Sequence, residues 1–89
     1  MNQTFHVSNT PDGMMLTAIR KVDMRKILVV AYVHQRGVTS TTSFFTTYYF
    51  HNGKWQLVLP QREIPLDKPT DAPSHLDKFF FEAIDFLDA

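Results

Sequence analysis

The sequence predicts an α+β domain, in which an antiparallel meander sheet of about five strands is followed by one C-terminal helix packed on one face. Three observations lead to this fold class. Turn-forming residues separate apolar runs of strand length, the connections between neighbouring runs are short, and apolar residues recur at helical spacing near the end of the chain. The length of 89 residues suits a single domain spanning residues 1–89.

Glycine residues mark the turns between the predicted strands. Pro11-Asp12-Gly13 is typical of a tight turn, and Asn52-Gly53 is the strongest short signal for a two-residue hairpin. Arg36-Gly37 lies between two apolar runs and predicts another two-residue reversal. The strands are therefore expected at residues 3–8, 14–21, 26–35, 39–50 and 55–60.

The remaining chain predicts a connector and a helix. Prolines recur between residues 60 and 73, so the sheet is expected to occupy residues 1–60 and a Pro-rich connector residues 61–73. A helix is expected over residues 74–88, with Ser74 as its N-cap. Phe81 lies off the apolar stripe of this helix and is expected to be covered by the connector. The stripe itself consists of Leu76, Phe79, Phe80, Ala83, Ile84 and Leu87.

The hairpin registers divide the predicted sheet into two faces. A two-residue turn at Asn52-Gly53 pairs Tyr48 with Leu57, and one at Arg36-Gly37 pairs Phe44 with Val29. The face expected to form the core carries Ile27, Val29, Ala31, Val33, Phe44, Tyr48, Phe50, Trp55, Leu57 and Leu59. The face expected to bind a partner carries Leu28, Val30, Tyr32, Phe45, Thr47, Tyr49 and Val58. A register error of one residue would exchange these faces.

This second face is apolar on a side of the sheet where water is expected. One helix, about 10 Å wide, covers about two strands of one face. The second face would then expose an apolar patch near the ~400 Å² that soluble monomers seldom leave uncovered. A second copy packed sheet on sheet, a different protein, or closure into a small barrel open to a ligand or nucleic acid would each cover it.

Charges are segregated along the chain although the net charge is zero. Residues 14–54 contain six basic side chains against one acidic, and residues 63–89 contain seven acidic against two basic. The basic set forms an expected rim of the binding face: Arg20, Lys21, Arg25, Lys26, Arg36 and Lys54. Such a rim beside exposed aromatic residues is typical of platforms for single-stranded nucleic acid, but those domains usually carry a strongly basic balance.

Neither composition nor spacing indicates catalysis, a metal site or a cofactor. The sequence has no cysteine, its histidines are widely separated, and it contains no phosphate-binding glycine loop and no G-x-S-x-G element. We therefore expect no catalytic residue, no metal ligand and no cofactor. No export signal and no membrane-length apolar run is present, so a cytoplasmic protein without membrane contact is expected.

The sequence thus predicts a small non-enzymatic protein-binding module, such as an inhibitor, adaptor or regulatory subunit of the kind that mobile elements encode. Its expected partner is a protein, either a second copy in a homodimer or a foreign protein. The alternative is a sheet module that binds single-stranded nucleic acid through exposed aromatic residues and the basic rim.

Overall fold

The computed structural model describes residues 5–36 and 40–89 and confirms the predicted fold class. One antiparallel sheet has the strand order β1-β2-β3-β4-β5, as in a meander. A 3₁₀ helix, Pro69–His75, then leads into helix α1, Leu76–Asp88. The strands are β1 His6–Thr10, β2 Gly13–Val22, β3 Arg25–Arg36, β4 Ser40–His51 and β5 Lys54–Leu66.

The turns that join the strands require unusual backbone conformations. Asn52 and Gly53 both have positive φ, 53° and 76°, as a two-residue hairpin demands, and the predicted pairing of Tyr48 with Leu57 is confirmed. Asp23 and Met24 also have positive φ, 50° and 69°, in the turn between β2 and β3. Left-handed backbone is costly for a residue such as Met24, which has a Cβ atom.

Strand β4 pairs with β3 in a different register from the predicted one. Phe44 lies opposite Tyr32 rather than Val29, so its partner is three residues further along β3. An odd shift turns every side chain of β4 to the other face of the sheet relative to β3. The predicted two-residue turn at Arg36-Gly37 lies partly outside the described residues, and Arg36 pairs with Ser40.

Strand β5 continues to Leu66 rather than ending at residue 60. Its prolines are tolerated because β5 is an edge strand, where one side of the backbone has no ladder to complete. The ladder between β4 and β5 shifts register between Phe45 and Tyr48, so that Thr47 lies opposite Leu59. This irregularity allows the consecutive residues Val58 and Leu59 both to be buried.

Helix α1 covers one face of the sheet, which we call the inner face. Its predicted apolar stripe is confirmed, since Leu76, Phe79, Phe80 and Ala83 are buried and Ile84 and Leu87 pack against the same core. The side chains that the sheet contributes to this core include Leu16, Ala18, Ile27, Val29, Ala31, Val33, Phe45, Leu59 and Leu66.

Two expectations about the helix are wrong. Ser74 is not the N-cap, because α1 begins at Leu76 after His75, and the Ser74 hydroxyl donates a hydrogen bond to the Asp71 carbonyl oxygen at 2.6 Å. Phe81 is not covered by the connector, since 66% of its surface is exposed. The connector instead forms the 3₁₀ helix, in which Ala72 is buried.

Candidate binding face

The face of the sheet opposite α1, which we call the open face, presents its side chains in rows that run across the strands. The row beside the Asp23-Met24 and Asn52-Gly53 turns, which we call the lysine–aromatic row, consists of Lys21, Lys26, Phe50 and Trp55. The next, which we call the apolar row, consists of Ile19, Leu28, Tyr48 and Leu57. Further rows contain Thr17, Val30 and Thr46, then Met15, Tyr32, Phe44 and Glu63, then Gly13, His34, Thr42 and Pro65.

Large apolar side chains on the open face remain in contact with solvent. Ile19 and Leu57, at opposite ends of the apolar row, are 53% and 57% exposed. Phe50 and Trp55 are 43% and 39% exposed, although their rings meet edge to face with centroids 5.2 Å apart. On the inner face, by contrast, Ile27, Val29 and Phe45 are fully buried. The open face is therefore the uncovered apolar surface of the sheet.

The extent of the open face can be judged from strand geometry. Strands β2 to β5, spaced about 4.8 Å apart and taken over the length of β3 from Lys26 to His34, give a flat area of about 500 Å². The largest apolar patches on ordinary monomers cover about 300–600 Å². The open face, which also carries polar side chains, has an area comparable to such a patch.

Of the residues predicted for the binding face, only those of β3 occupy the open face. Leu28, Val30 and Tyr32 lie on the open face. Phe45 and Thr47 were wrongly placed, since both are fully buried on the inner face. Tyr49 is on the inner face as well, where it packs against the core. Val58 is also wrongly placed, because the ladder irregularity beside it leaves it buried.

Five residues that the sequence analysis assigned to the core lie on the open face instead. They are Phe44, Tyr48, Phe50, Trp55 and Leu57. On the inner face of β4, Thr41, Ser43 and Thr47 are small and buried. Small side chains beneath a helix leave room for the bulky rings of Phe79 and Phe80. Threonines also occupy the open face, at positions 42 and 46, so small residues in the sequence do not identify the inner face of β4.

Two arginines of the predicted basic rim, Arg20 and Arg25, contact the helix. Arg20 forms an ion pair with Asp77 at 2.5 Å, and its guanidinium carbon lies 4.4 Å from the ring centroid of Phe80. Arg25 forms an ion pair with Asp88. In the same way Arg62 of β5 binds Glu82 of α1 at 2.9 Å. The positive sheet segment and the negative helix segment are thus paired across the two layers of the fold.

The lysines of the rim are distributed differently. Lys21 and Lys26 lie directly opposite each other on the open face, and the Lys26 ammonium is 5.5 Å from the ring centroid of Phe50. Lys54 is exposed opposite His51, on the hairpin beside the Asn52-Gly53 turn. The side chain of Arg36 lies outside the described residues. Only Lys21 and Lys26 among the described rim residues therefore belong to the open face.

Three further findings concern metal, ligand and membrane binding in the described residues. Within residues 5–36 and 40–89, no group of three histidine or acidic side chains could hold a metal ion. A shallow cavity of about 170 Å³ at one end of the sheet is lined by uncharged residues, Asn9, Gly13, Met14, Val33, Gln35 and Pro69. No helix in the described part of the chain is long and apolar enough to cross a membrane.

Comparison of the chain with protein-family models, with curated proteins and with solved structures finds no match.

Proposed function

We propose that this chain is a small non-enzymatic protein-binding module that acts through its open face. The observation that carries this proposal is the continuous apolar row from Ile19 to Leu57, which crosses four strands on the side of the sheet away from α1. Phe50 and Trp55 flank that row on one side, and Tyr32 and Phe44 lie two rows away on the other side. Aromatic residues are the usual anchors of protein interfaces. An inhibitor, adaptor or regulatory subunit works through a surface of this kind.

The partner that fits the open face best is a second copy of the chain, which gives a homodimer. A specific interface buries at least about 1,000 Å² in total. Two open faces of about 500 Å² each reach this value when they pack sheet on sheet. A flat apolar sheet face is complementary to another flat apolar sheet face, so that self-association satisfies both surfaces at once.

Binding of single-stranded nucleic acid is the alternative. It is supported by the neighbouring Lys21, Lys26, Phe50 and Trp55, since stacking rings and cations are what a nucleic acid requires. It is opposed by the ion pairs that Arg20 and Arg25 form with carboxylates of α1, because these pairs already neutralise two cations of the predicted rim. The open face is also crossed by aliphatic residues, which contribute little to base stacking. Protein binding therefore has the stronger support.

The test compares two charge insertions at apolar positions that are both more than half exposed. Leu57→Glu places a carboxylate in the open face, whereas Phe81→Glu places one on the outer side of α1. Light scattering on a sizing column across the micromolar range should show the native chain and Phe81→Glu at twice the 10.3 kDa chain mass. Leu57→Glu should remain at the mass of one chain.

Two results would contradict the proposal. A native chain that stays monomeric across the micromolar range excludes the homodimer. A Leu57→Glu chain that dimerises like the native one excludes the open face as the interface. Fluorescence anisotropy with labelled single-stranded DNA and RNA tests the alternative, because binding that is lost by orders of magnitude as salt rises would indicate a nucleic-acid module.

A further inference from the structure

We infer that the two copies of the proposed homodimer are related by a two-fold axis that runs parallel to the strands, between β3 and β4. This inference rests on the proposed function, because it specifies how a second copy occupies the open face. Under this symmetry β3 lies over β4 of the second copy and β2 lies over β5. Each row of side chains then meets the same row of the other copy.

The evidence is the chemical asymmetry of the lysine–aromatic row. Its β2 and β3 half is cationic, with Lys21 and Lys26 side by side. Its β4 and β5 half is aromatic, with Phe50 and Trp55 in contact and still partly exposed. Lys26 is already drawn towards the ring of Phe50 within one chain. Cations and aromatic rings attract each other through the ring quadrupole, so the two halves are complementary to one another.

A two-fold axis along the strands places the cationic half of this row over the aromatic half of the same row in the other copy. Lys26 lies over Phe50 of the second copy, and Lys21 lies over Trp55 of the second copy. The apolar row pairs Leu28 with Tyr48 and Ile19 with Leu57 in the same manner. The lysine–aromatic row adjoins the two turns, so the ammonium groups reach water beyond the end of the sheet while their methylene stems cover the rings.

In the other face-to-face arrangement the two-fold axis runs across the strands. The cationic and aromatic halves of the lysine–aromatic row do not meet in that arrangement. This axis places the lysine–aromatic row over the row that contains Gly13, His34, Thr42 and Pro65. Lys21 and Lys26 would then lie over a glycine and a histidine, and the rings of Phe50 and Trp55 would lose the cations. This arrangement therefore lacks the cation–ring contacts between copies that an axis along the strands provides.

The distance between two spin labels, one on the turn between β2 and β3 of each copy, distinguishes the two axes. The sequence contains no cysteine, so Met24→Cys gives a single attachment point for a nitroxide at a position that is 88% exposed and outside the open face. With the axis along the strands both labelled turns lie at the same end of the dimer, within about 30 Å of each other, because the sheets are about 10 Å apart. With the axis across the strands they lie at opposite ends, separated by about the 42 Å length of the molecule.

Pulsed electron spin resonance on the labelled dimer measures this separation. A single short distance supports the inference, and a distance near the length of the molecule overturns it while leaving the homodimer intact. A labelled chain that is monomeric overturns both the homodimer and the inference. The mass from light scattering and the label distance therefore separate the two failures.

A pair of charge variants provides a second measurement. Lys26→Glu removes the cation from over the partner ring, so the dimer dissociation constant should rise at least about tenfold. Lys54→Glu makes the same charge change outside the open face, so that it should leave this constant within about threefold, because exposed charges interact weakly. Equal effects of the two variants would overturn the inferred position of Lys26.

Discussion

The ring of Phe45 stacks on the ring of Phe79, with centroids 4.6 Å apart and an interplanar angle of 12°. Both side chains are fully buried, and the contact joins β4 to α1 at the centre of the core. Phe44, the preceding residue, points to the open face, where it lies beside Tyr32. One aromatic doublet of the sequence thus supplies a core residue and an open-face residue.

The two members of this doublet should differ strongly in their effect on stability. Phe45→Ala should lower the free energy of unfolding by about 3–5 kcal/mol, because it leaves a cavity under α1. Phe44→Ala removes the same ring from a face in contact with solvent, so that it should cost less than about 1.5 kcal/mol in the monomer. Urea denaturation in the Leu57→Glu background measures both values without a contribution from dimerisation.

Trp55 provides a further check on the same faces. The sequence alone placed Trp55 in the core, whereas the structure leaves 39% of it exposed. Trp55→Ala should therefore cost less than Phe45→Ala in the same background. The reverse order would mean that the faces of β4 and β5 are exchanged.

Replacing Thr47 with valine should stabilise the protein. Its hydroxyl oxygen is buried and has no hydrogen-bond partner within the described residues. Valine has a similar shape but no polar group to desolvate, so Thr47→Val should raise the free energy of unfolding by about 1 kcal/mol. Thr46→Val, on the open face, is the matched control and should change it by less than about 0.5 kcal/mol. Thermal unfolding of the two variants in the Leu57→Glu background decides the point, and a destabilised Thr47→Val chain would contradict the prediction.

The turn between β2 and β3 offers another stabilising change. Met24 has φ of 69° and packs against little, since 88% of its surface is exposed. Glycine adopts this conformation without steric cost, so Met24→Gly should raise the unfolding free energy by about 0.5–1 kcal/mol despite its greater chain entropy. Met24→Ala keeps the Cβ atom and should give no gain. Similar effects of the two variants in urea denaturation would exclude backbone strain as the cause.

Gly13 should tolerate no side chain. A Cβ atom at this position would lie 1.9 Å from the carbonyl oxygen of Val33, which belongs to the backbone of β3. Gly13→Ala therefore has to separate β2 from β3 and should cost more than about 2 kcal/mol. Gly53 has open space around it and differs only in its positive φ, so Gly53→Ala should cost about 1 kcal/mol. Parallel melting curves compare the two, and a Gly13→Ala chain as stable as Gly53→Ala would contradict the expectation.

Local patterns were sufficient for the order of the strands, the Asn52-Gly53 hairpin and the apolar stripe of α1. The faces of β4 could not be obtained in the same way. Its doublets, Phe44-Phe45 and Tyr48-Tyr49, place an aromatic residue at both phases of the strand alternation, so the pattern does not distinguish the faces. The connection between β3 and β4 determines how these two strands pair. A shift of that pairing by an odd number of residues moves the side chains of β4 to the opposite face of the sheet.

The irregular pairing beside Val58 could not be predicted from the sequence either. Pro60 lies in this part of β5, but proline also fits a regular edge strand, so it does not specify the two extra residues of β5. The ion pairs of Arg20 and Arg25 were missed for a related reason. Their partners, Asp77 and Asp88, are distant in the sequence and become neighbours only when α1 lies on the sheet.

The position of α1 after all five strands has a consequence for synthesis on the ribosome. Neighbouring strands pair through short turns, so the sheet can form progressively as it leaves the exit tunnel. Both of its faces stay uncovered until α1 has emerged, because Phe79 and Phe80 are the rings that close the inner face. During that interval, nascent chains on neighbouring ribosomes can associate through either face of the sheet. After α1 has packed on the inner face, only the open face remains uncovered.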